Sequence, residues 1–337
     1  MKLLTVTVPC YNSQDYMANC IESLLPGGDR VEVIIIDDGS KDDTGRIADE
    51  YVAKYPNICR VIHQENGGHG EGINQGLRHA TGKYFKVVDS YDKMSEDFVG
   101  FRDQLEQCEK DGGVDLFVTN YYYVHADGIG DRSINYSNAL PENRIFTWAD
   151  TKPFRVHQLL TIHSCTFRTE AMRKWGTDLP KHTFYEDNLM VYLTLPHIQR
   201  ICYRNSDLYR YTIGRDGQSV AESSMRKRFT HQVLVSERCF TSCHLDDIAD
   251  PKLKRYMKHE MFMMFGIAVV FARLNKSDEG DAVMNKMWEN CFAFDEKWAK
   301  HFRYRTPLWF ICLPGKGGRN FTNFIYRLAG KVVRFNQ

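Results

Sequence analysis

The sequence predicts an α/β fold, a mostly parallel sheet with helices on both faces, followed by a helical C-terminal extension. Three observations predict it. Apolar, β-branched runs recur roughly every 20 to 30 residues with amphipathic stretches between them, which is the βαβ pattern. The run 31–36 is nearly continuous, as in a strand buried on both faces of a parallel sheet. From Ser224 onward the apolar period becomes helical.

The elements follow in order. Residues 3–8 alternate Thr with aliphatics and stop at Pro9, giving a first strand. Asn12 or Ser13 can cap a helix in which Tyr16, Met17, Cys20, Ile21, Leu24 and Leu25 share a face, and Pro26-Gly27-Gly28 ends it. The second strand, 31–36, runs into Asp37-Asp38-Gly39-Ser40. Residues 43–54 are helical with Ile47, Ala48, Tyr51 and Val52 facing in, and 59–63 is a third strand. Residues 67–79 are Gly-rich and then helical. The fourth strand, 84–88, ends in the β-branched pair Val87-Val88 and runs into Asp89-Ser90-Tyr91-Asp92. A helix at 96–110 and a strand at 116–124 come next.

Beyond residue 127 the pattern loosens into short segments rich in Asn, Ser and Pro, up to about 153. A strand is expected at 161–167, a short helix at 186–195 before Pro196, and strands at 201–204 and 208–213. Helices at 226–244, 251–274 and 278–290 complete the chain. The expected organisation is an α/β domain at 1–222, a helical extension at 223–300 and a basic, aromatic tail at 301–337.

The 337 residues are 43% hydrophobic and 26% charged, enough to bury a proper core. The net charge of +1 gives no case for nucleic acid, but it hides an asymmetry. Residues 301–337 carry seven Lys or Arg and no acid, so the first 300 hold 37 basic against 43 acidic residues, or −6. A basic tail on a mildly acidic body points to an anionic surface. The ten cysteines form no CxxC pair and read as free, buried thiols of a reducing cytosol. Cys239, Cys243 and His244 share helical spacing, but no fourth ligand accompanies them and core packing is the reading. The N-terminus is too short and strand-like for a signal peptide, and no run is long and apolar enough to span a membrane. Nothing points to an oligomeric state.

Four acidic or Gly-rich sites line up with strand ends: Pro9-Cys10-Tyr11-Asn12, Asp37-Asp38-Gly39-Ser40, Asn66-Gly67-Gly68-His69-Gly70 and Asp89-Ser90-Tyr91-Asp92. A doubly wound sheet gathers them on one rim, the edge where ligands bind in open α/β sheets. The bland reading of each alone is a polar turn with solvated side chains. The first βα turn has no GxGxxG and there is no GxxxxGK[ST], which argues against a dinucleotide or a P-loop enzyme. Two acids past the fourth strand suit a divalent cation that also binds phosphate oxygens, and a carboxylate past the second can accept from a nucleobase N–H.

Val6-Thr7-Val8-Pro9-Cys10-Tyr11-Asn12, then Val33-Ile34-Ile35-Ile36-Asp37-Asp38-Gly39-Ser40-Lys41-Asp42, then Gly82-Lys83-Tyr84 leading to Asp89-Ser90-Tyr91-Asp92, resembles the family 2 glycosyltransferases. The likeness is tight over about the first 95 residues. It continues loosely through Phe184-Tyr185-Glu186-Asp187 and residues 211–220. The resemblance implies a GT-A-like nucleotide-diphospho-sugar transferase fold and an inverting transfer from an activated, often UDP-linked, sugar. It implies that Pro9, Tyr11 and Asp38 line the nucleobase pocket, that Asp89 and Asp92 serve the metal and the donor, and that Asp187 is the general base. Arg215 and Gln218, in Gly214-Arg215-Asp216-Gly217-Gln218, fit a clamp on the diphosphate; the plain reading of Arg215 is a loop cation. For Glu186-Asp187 the plain reading is a charged first turn favouring the helix dipole.

Two departures stand out. The family most often has Asp-Ser-Asp-Asp where this chain has Asp89-Ser90-Tyr91-Asp92, and a phenol is a poor ligand for Mg²⁺ or Mn²⁺. Many relatives have Arg where Ile73 precedes Asn74; His69 lies nearby and is assigned to the phosphate or sugar, against a structural His at a helix start.

In the tail, Trp309-Phe310-Ile311-Cys312-Leu313 adjoins Arg303 and Arg305. Phe324, Ile325, Leu328, Val332 and Phe335 share a helical face with Arg327, Lys331 and Arg334 interleaved. That pattern suits a helix lying on an anionic membrane, against docking on the body or a second subunit.

The expected protein is therefore an inverting hexosyl- or N-acetylhexosaminyltransferase, cytoplasmic or peripheral on the inner face of the membrane. It takes a nucleotide sugar as donor, a glycan or glycolipid in envelope or exopolysaccharide synthesis as acceptor, and Mg²⁺ or Mn²⁺ as cofactor. The competing class is a non-catalytic nucleotide-sugar binder with a degraded metal motif; the retained Asp187 argues against decay.

Overall fold

The computed structural model describes residues 1–125, 128, 130–214, 222–275 and 277–332. The chain divides into two units, residues 1–215 and 216–337. Within the second unit a helix runs through residue 300 and buries Ala299 and Phe302.

The first unit is built on a ten-stranded sheet. Its strands are β1 (Leu4–Cys10), β2 (Val31–Asp37), β3 (Cys59–His63), β4 (Tyr84–Val87), β5 (Lys93–Met94), β6 (Leu116–His125), β7 (Arg132–Ile134), β8 (Ile145–Phe146), β9 (Cys165–Arg168) and β10 (Ile201–Ile213). The helices between them are α1 (Met17–Leu24), α2 (Thr44–Lys54), α3 (His69–His79), α4 (Phe98–Lys110), α5 (Thr169–Met172) and α6 (Glu186–Thr194). The spatial order is β3-β2-β1-β4-β9-β6-β10-β5, with β7 beside β6 and β8 beside β10.

β1 pairs in parallel with both β2 and β4, and β2 with β3. Every residue of β1 and β2 is buried, which is the two-sided burial that continuous apolar runs require. α1 begins at Met17 and not at Asn12 or Ser13. Asn12 adopts φ 48° and its side chain accepts from the Lys41 amide, while the Ser13 carbonyl receives Tyr16 and Met17.

Two features differ from the expected pattern, and both shape the site. β9 is antiparallel to its neighbours β4 and β6, so the segment entering it, 161–164, arrives beside the carboxyl end of β4 and the middle of β6. The expected strands 201–204 and 208–213 are one strand, β10. Its register against β6 shifts between Arg204 and Tyr209, letting one strand serve where the alternation breaks. β5 pairs with β10 through Met94 and Tyr209, which straps the turn after β4 to β10.

The second unit is helical: α7 (Glu222–Lys227), α8 (Phe229–Thr241), α9 (Pro251–Leu274), α10 (Asp278–Phe294), α11 (Glu296–Arg305), α12 (Leu308–Ile311) and α13 (Gly315–Val332). Asp250 caps α9 by accepting from the Lys252 and Leu253 amides, and Pro251 sits at its first position. Phe240, Phe265 and Phe302 meet in its core. Within it α13 is anchored by Arg319, which bonds Asp278 over 2.9 Å, and by the buried Thr322 and Asn323. Nine of the ten cysteines are buried and all are free; Cys239 is buried, and His244 stacks on Phe294 and pairs with Asp295. Among the described residues no helix is long and apolar enough to cross a membrane.

Candidate active site

The parallel strands β1, β2, β3 and β4 deliver their following turns to one edge, as chain direction requires. The turns are tied together there. The Asp38 amide donates to the Cys10 carbonyl, the Asn12 amide to Ser40 Oγ, and Ser13 Oγ lies 2.8 Å from Ser90 Oγ. Pro9 is buried in β1 and packs towards Gly72, while Tyr11 is 52% exposed at the rim. The Asp38 carboxylate is buried and accepts three N–H bonds, from Gln64 Nε2 (2.6 Å) and the amides of Gly67 (2.7 Å) and Gly68 (2.8 Å). It therefore holds the turn that opens α3, and only its remaining lone pairs are left for a further donor.

Asp89 and Asp92 are both buried but have different partners. Asp92 accepts from the Tyr209 hydroxyl (2.8 Å) and the Thr212 amide (2.8 Å). Asp89 accepts from the Tyr91 hydroxyl (3.1 Å) and lies 2.9 Å from His69 Nε2. Burial would raise the Asp89 pKa, but the facing His69 charge and the hydrogen bonds outweigh it and hold the carboxyl at about 2.

His69 sits between two acids. Its Nδ1 lies 2.6 Å from Glu186 Oε1, opposite the contact with Asp89. Burial disfavours the imidazolium, yet Asp89 and Glu186 together raise its pKa well above the ordinary value. Glycine makes this approach possible: a Cβ on Gly70 would stand 2.9 Å from Glu186 Cγ, and Gly68, at φ 84°, has His182 backbone 2.9 Å from where its Cβ would be. Tyr185, just before α6, takes the left-handed φ of 70°, an uncommon conformation for a bulky residue and one that aims the Glu186-Asp187 turn. Asp187 is half-buried. Burial, then the adjacent Glu186, push its pKa up to about 7, with His69 opposing.

Two residues of the site carried no assignment from sequence. Lys86, in the middle of β4, is buried and donates to the carbonyls of His163 (2.9 Å) and Cys165 (3.2 Å). Its burial lowers its pKa to about 8. A single charge inside an apolar strand was the available signal. His163 lies in the segment entering β9, and its ring stacks on Tyr211 at 4.2 Å. Burial holds its pKa down at about 4, so the imidazole is neutral.

Asp89, Asp92 and His163 each offer one ligand atom, and these atoms lie within 4.8 Å of one another. Two carboxylate oxygens and a neutral imidazole nitrogen fit a divalent cation in donor type, and a small contraction would bring them to ligand spacing. Asp89, Asp92, His69 and Glu186-Asp187 thus share one end of the sheet, with Asp38 in the turn beside α3. Arg215 and Gln218 lie outside the described residues.

Comparison with known proteins gives the lineage. The family model described as glycosyl transferase family 2 matches residues 5–173. Glycosyltransferase GlyG of Streptococcus pneumoniae is 37% identical over 130 residues, 38% of this chain and 42% of GlyG. The uncharacterized glycosyltransferase EpsJ of Bacillus subtilis is 32% identical over 166 residues, 49% of this chain and 45% of EpsJ. The chain thus spans less than half the length of these curated relatives. A crystal structure of S. aureus TarS 1-349 in complex with UDP-GlcNAc superimposes with a TM-score of 0.68 at 20% identity, covering 98% of this chain and 92% of that one. That likeness shows the GT-A fold with a helical C-terminal region. With its family model spanning half of the sequence and its strand-end motifs gathered at one edge, the chain belongs to glycosyl transferase family 2.

Proposed function

We propose that the protein is an inverting glycosyltransferase that moves a hexose or N-acetylhexosamine from a UDP-linked sugar to a hydroxyl of a glycan or lipid-linked acceptor in envelope or exopolysaccharide synthesis. The observation that carries it is the place of Asp187 in the first turn of α6, next to Glu186, whose carboxylate meets His69 and through it Asp89, with burial pushing the Asp187 pKa up to about 7. A base of that strength is half ionised at neutral pH and still basic enough to take a hydroxyl proton. The UDP-GlcNAc bound by TarS supports the donor class.

In this reading Tyr11 and Asp38 meet the nucleobase, with Pro9 shaping the floor beneath, and Arg215 and Gln218 serve the diphosphate. The acceptor oxygen attacks the anomeric carbon, its proton passes to Asp187, and the bond from that carbon to the diphosphate oxygen breaks on the opposite side. Configuration inverts, and the nucleoside diphosphate leaves with the electron pair. The His69 imidazolium lends positive charge at the edge of the diphosphate site. A Mg²⁺ or Mn²⁺ ion held by Asp89 and Asp92 supplies further charge to the leaving group when bound.

The tail supports a membrane-surface acceptor. Trp309 (42% exposed), Phe310 (45%), Phe324 (62%) and Leu328 (49%) project from α12 and α13, and Arg327 is exposed among them. Aromatic side chains next to cations suit the headgroup region of an anionic leaflet.

The test is a panel of nucleotide sugars, with and without Mn²⁺, read by thermal shift and by release of nucleoside diphosphate, on the wild type and Asp187→Asn. Wild-type turnover that the variant loses, with the donor's thermal shift kept, supports the reading. Donor binding without turnover under any metal or acceptor identifies a nucleotide-sugar binder, the outcome that Tyr91 in the metal motif would favour.

A further inference from the structure

We propose that His163 is the third protein ligand of a divalent cation held by Asp89 and Asp92, and that it directs the site towards a transition ion such as Mn²⁺ over Mg²⁺. The proposal deepens the glycosyltransferase reading and rests on it for the purpose of the ion, but the ligand set stands on geometry.

The first observation is spacing. One atom from each of Asp89, Asp92 and His163 lies within 4.8 Å of the others. Ligands about 2.1 Å from a common ion are separated by roughly 3 to 4 Å, so a contraction of under about 2 Å closes the set.

The second is an unmet nitrogen. Among the described residues, His163 Nδ1 is buried and has no hydrogen-bond partner. A buried polar atom left so costs about 1–3 kcal/mol and calls for an explanation such as an ion. Its polar neighbours are committed elsewhere: Lys86 to the His163 and Cys165 carbonyls, and the Tyr209 hydroxyl to Asp92.

The third is rigidity. The imidazole stacks on Tyr211 at 4.2 Å and meets the edge of Tyr209 at 4.9 Å, while Lys86 pins its carbonyl at 2.9 Å. A ligand fixed by packing and by backbone anchoring loses little freedom on binding metal. Tyr209 also holds Asp92, so one side chain sets the positions of two ligands.

Tyr91 completes the case. It stands inside the acidic motif but donates to Asp89 at 3.1 Å and adds no carboxylate. The third donor comes instead from the segment before β9, which the antiparallel pairing of that strand brings to the end of β4. Replacing an oxygen ligand with imidazole matters for selectivity, because Mg²⁺ prefers all-oxygen octahedra and imidazole suits first-row transition ions.

The experiment uses the full chain stripped with chelator, titrated with Mn²⁺ alone and with UDP added, and followed by electron paramagnetic resonance. The wild type should bind Mn²⁺ with a nitrogen hyperfine coupling and should yield it poorly to Mg²⁺. His163→Gln should lose the coupling and about tenfold or more in affinity. His163→Asp should keep binding without the coupling and compete better for Mg²⁺; it also serves if the Gln variant does not fold. A wild type that binds no Mn²⁺ with or without UDP, or a folded His163→Gln with unchanged affinity and coupling, overturns the proposal. Nitrogen-coupled Mn²⁺ binding without sugar transfer would defeat the glycosyltransferase reading and leave the ligand assignment intact. Transfer by a wild type whose Mn²⁺ shows no nitrogen coupling would do the reverse.

Discussion

The Tyr91 hydroxyl donates to Asp89 Oδ2 over 3.1 Å, so the residue that breaks the acidic motif orients one of its carboxylates. The other oxygen of Asp89 faces His69 at 2.9 Å. Tyr91→Phe removes one donor and no metal ligand. Its expected effects are a stability loss of about 1 kcal/mol and a fall in Mn²⁺ affinity of no more than about threefold. Asp89→Asn, which removes a ligand, should cost at least about tenfold. Calorimetric titration of both variants decides the matter, and equal losses would make Tyr91 a ligand after all.

Asp187 sets a pH dependence whose sign is fixed by its role. Burial and Glu186 raise its pKa to about 7, and a base works only when ionised. Turnover at saturating metal should rise with pH through an acid limb near neutrality, and levels off once Asp187 is deprotonated. Asp187→Asn should lower kcat by about 100- to 10,000-fold, abolish that limb and leave the KM for the donor within a few fold. A variant that keeps the limb would assign it to another group.

The parallel half of the sheet was legible in the sequence because β1, β2 and β4 bury both faces and the edge strand β3 keeps a short apolar run between turn residues. The run 31–36 and the strand Cys59–His63 could be read from apolar periodicity and turn residues alone. The strand order was not legible, since β9 inserts antiparallel between β4 and β6 and periodicity carries no information on direction. His163 was hidden for that reason: it sits in the expected strand 161–167, yet the paired strand starts only at Cys165. Lys86 has no role that an apolar strand reveals, because its partners, the carbonyls of His163 and Cys165, lie almost 80 residues away. Glu186 illustrates a third limit. As expected it opens α6, but its contact with His69 depends on the space left by Gly70 and on the left-handed Tyr185, neither of which spacing reveals.

The helical unit carries its own titration. Glu260 on α9 is buried, and its Oε2 has no hydrogen-bond partner among the described residues. Burial raises its pKa from 4.5 to about 8, against a lowering hydrogen bond from Tyr256. The folded protein therefore keeps a proton that the unfolded chain releases above 4.5. The contribution is full below that pH and is lost as pH climbs to about 8, with a slope of up to about 1.4 kcal/mol per pH unit. Urea melts at pH 5.5 and 7.5 should show the wild type losing up to about 3 kcal/mol and Glu260→Gln losing less. Parallel losses in the two proteins would mean that Glu260 is ionised in the fold.

The tail can be tested without cutting into the core, which matters because removing 301–337 would delete the buried Phe302, Leu308, Cys312 and Thr322. Phe310, Phe324 and Leu328 are 45%, 62% and 49% exposed, so replacing them with Ser should change stability by less than about 0.5 kcal/mol each. If these side chains enter a lipid headgroup layer, each contributes up to about 1.5–3 kcal/mol of apolar burial there. The triple variant should then lose at least about tenfold in partitioning onto phosphatidylserine-containing liposomes, measured by sedimentation. Charge should act alongside: wild-type binding should weaken between low and physiological salt, because the exposed Arg327 and its basic neighbours are screened. Equal sedimentation of the wild type and the triple variant would remove the membrane from the tail's role. Loss of binding with a matching fall in melting temperature would assign these residues to the fold instead.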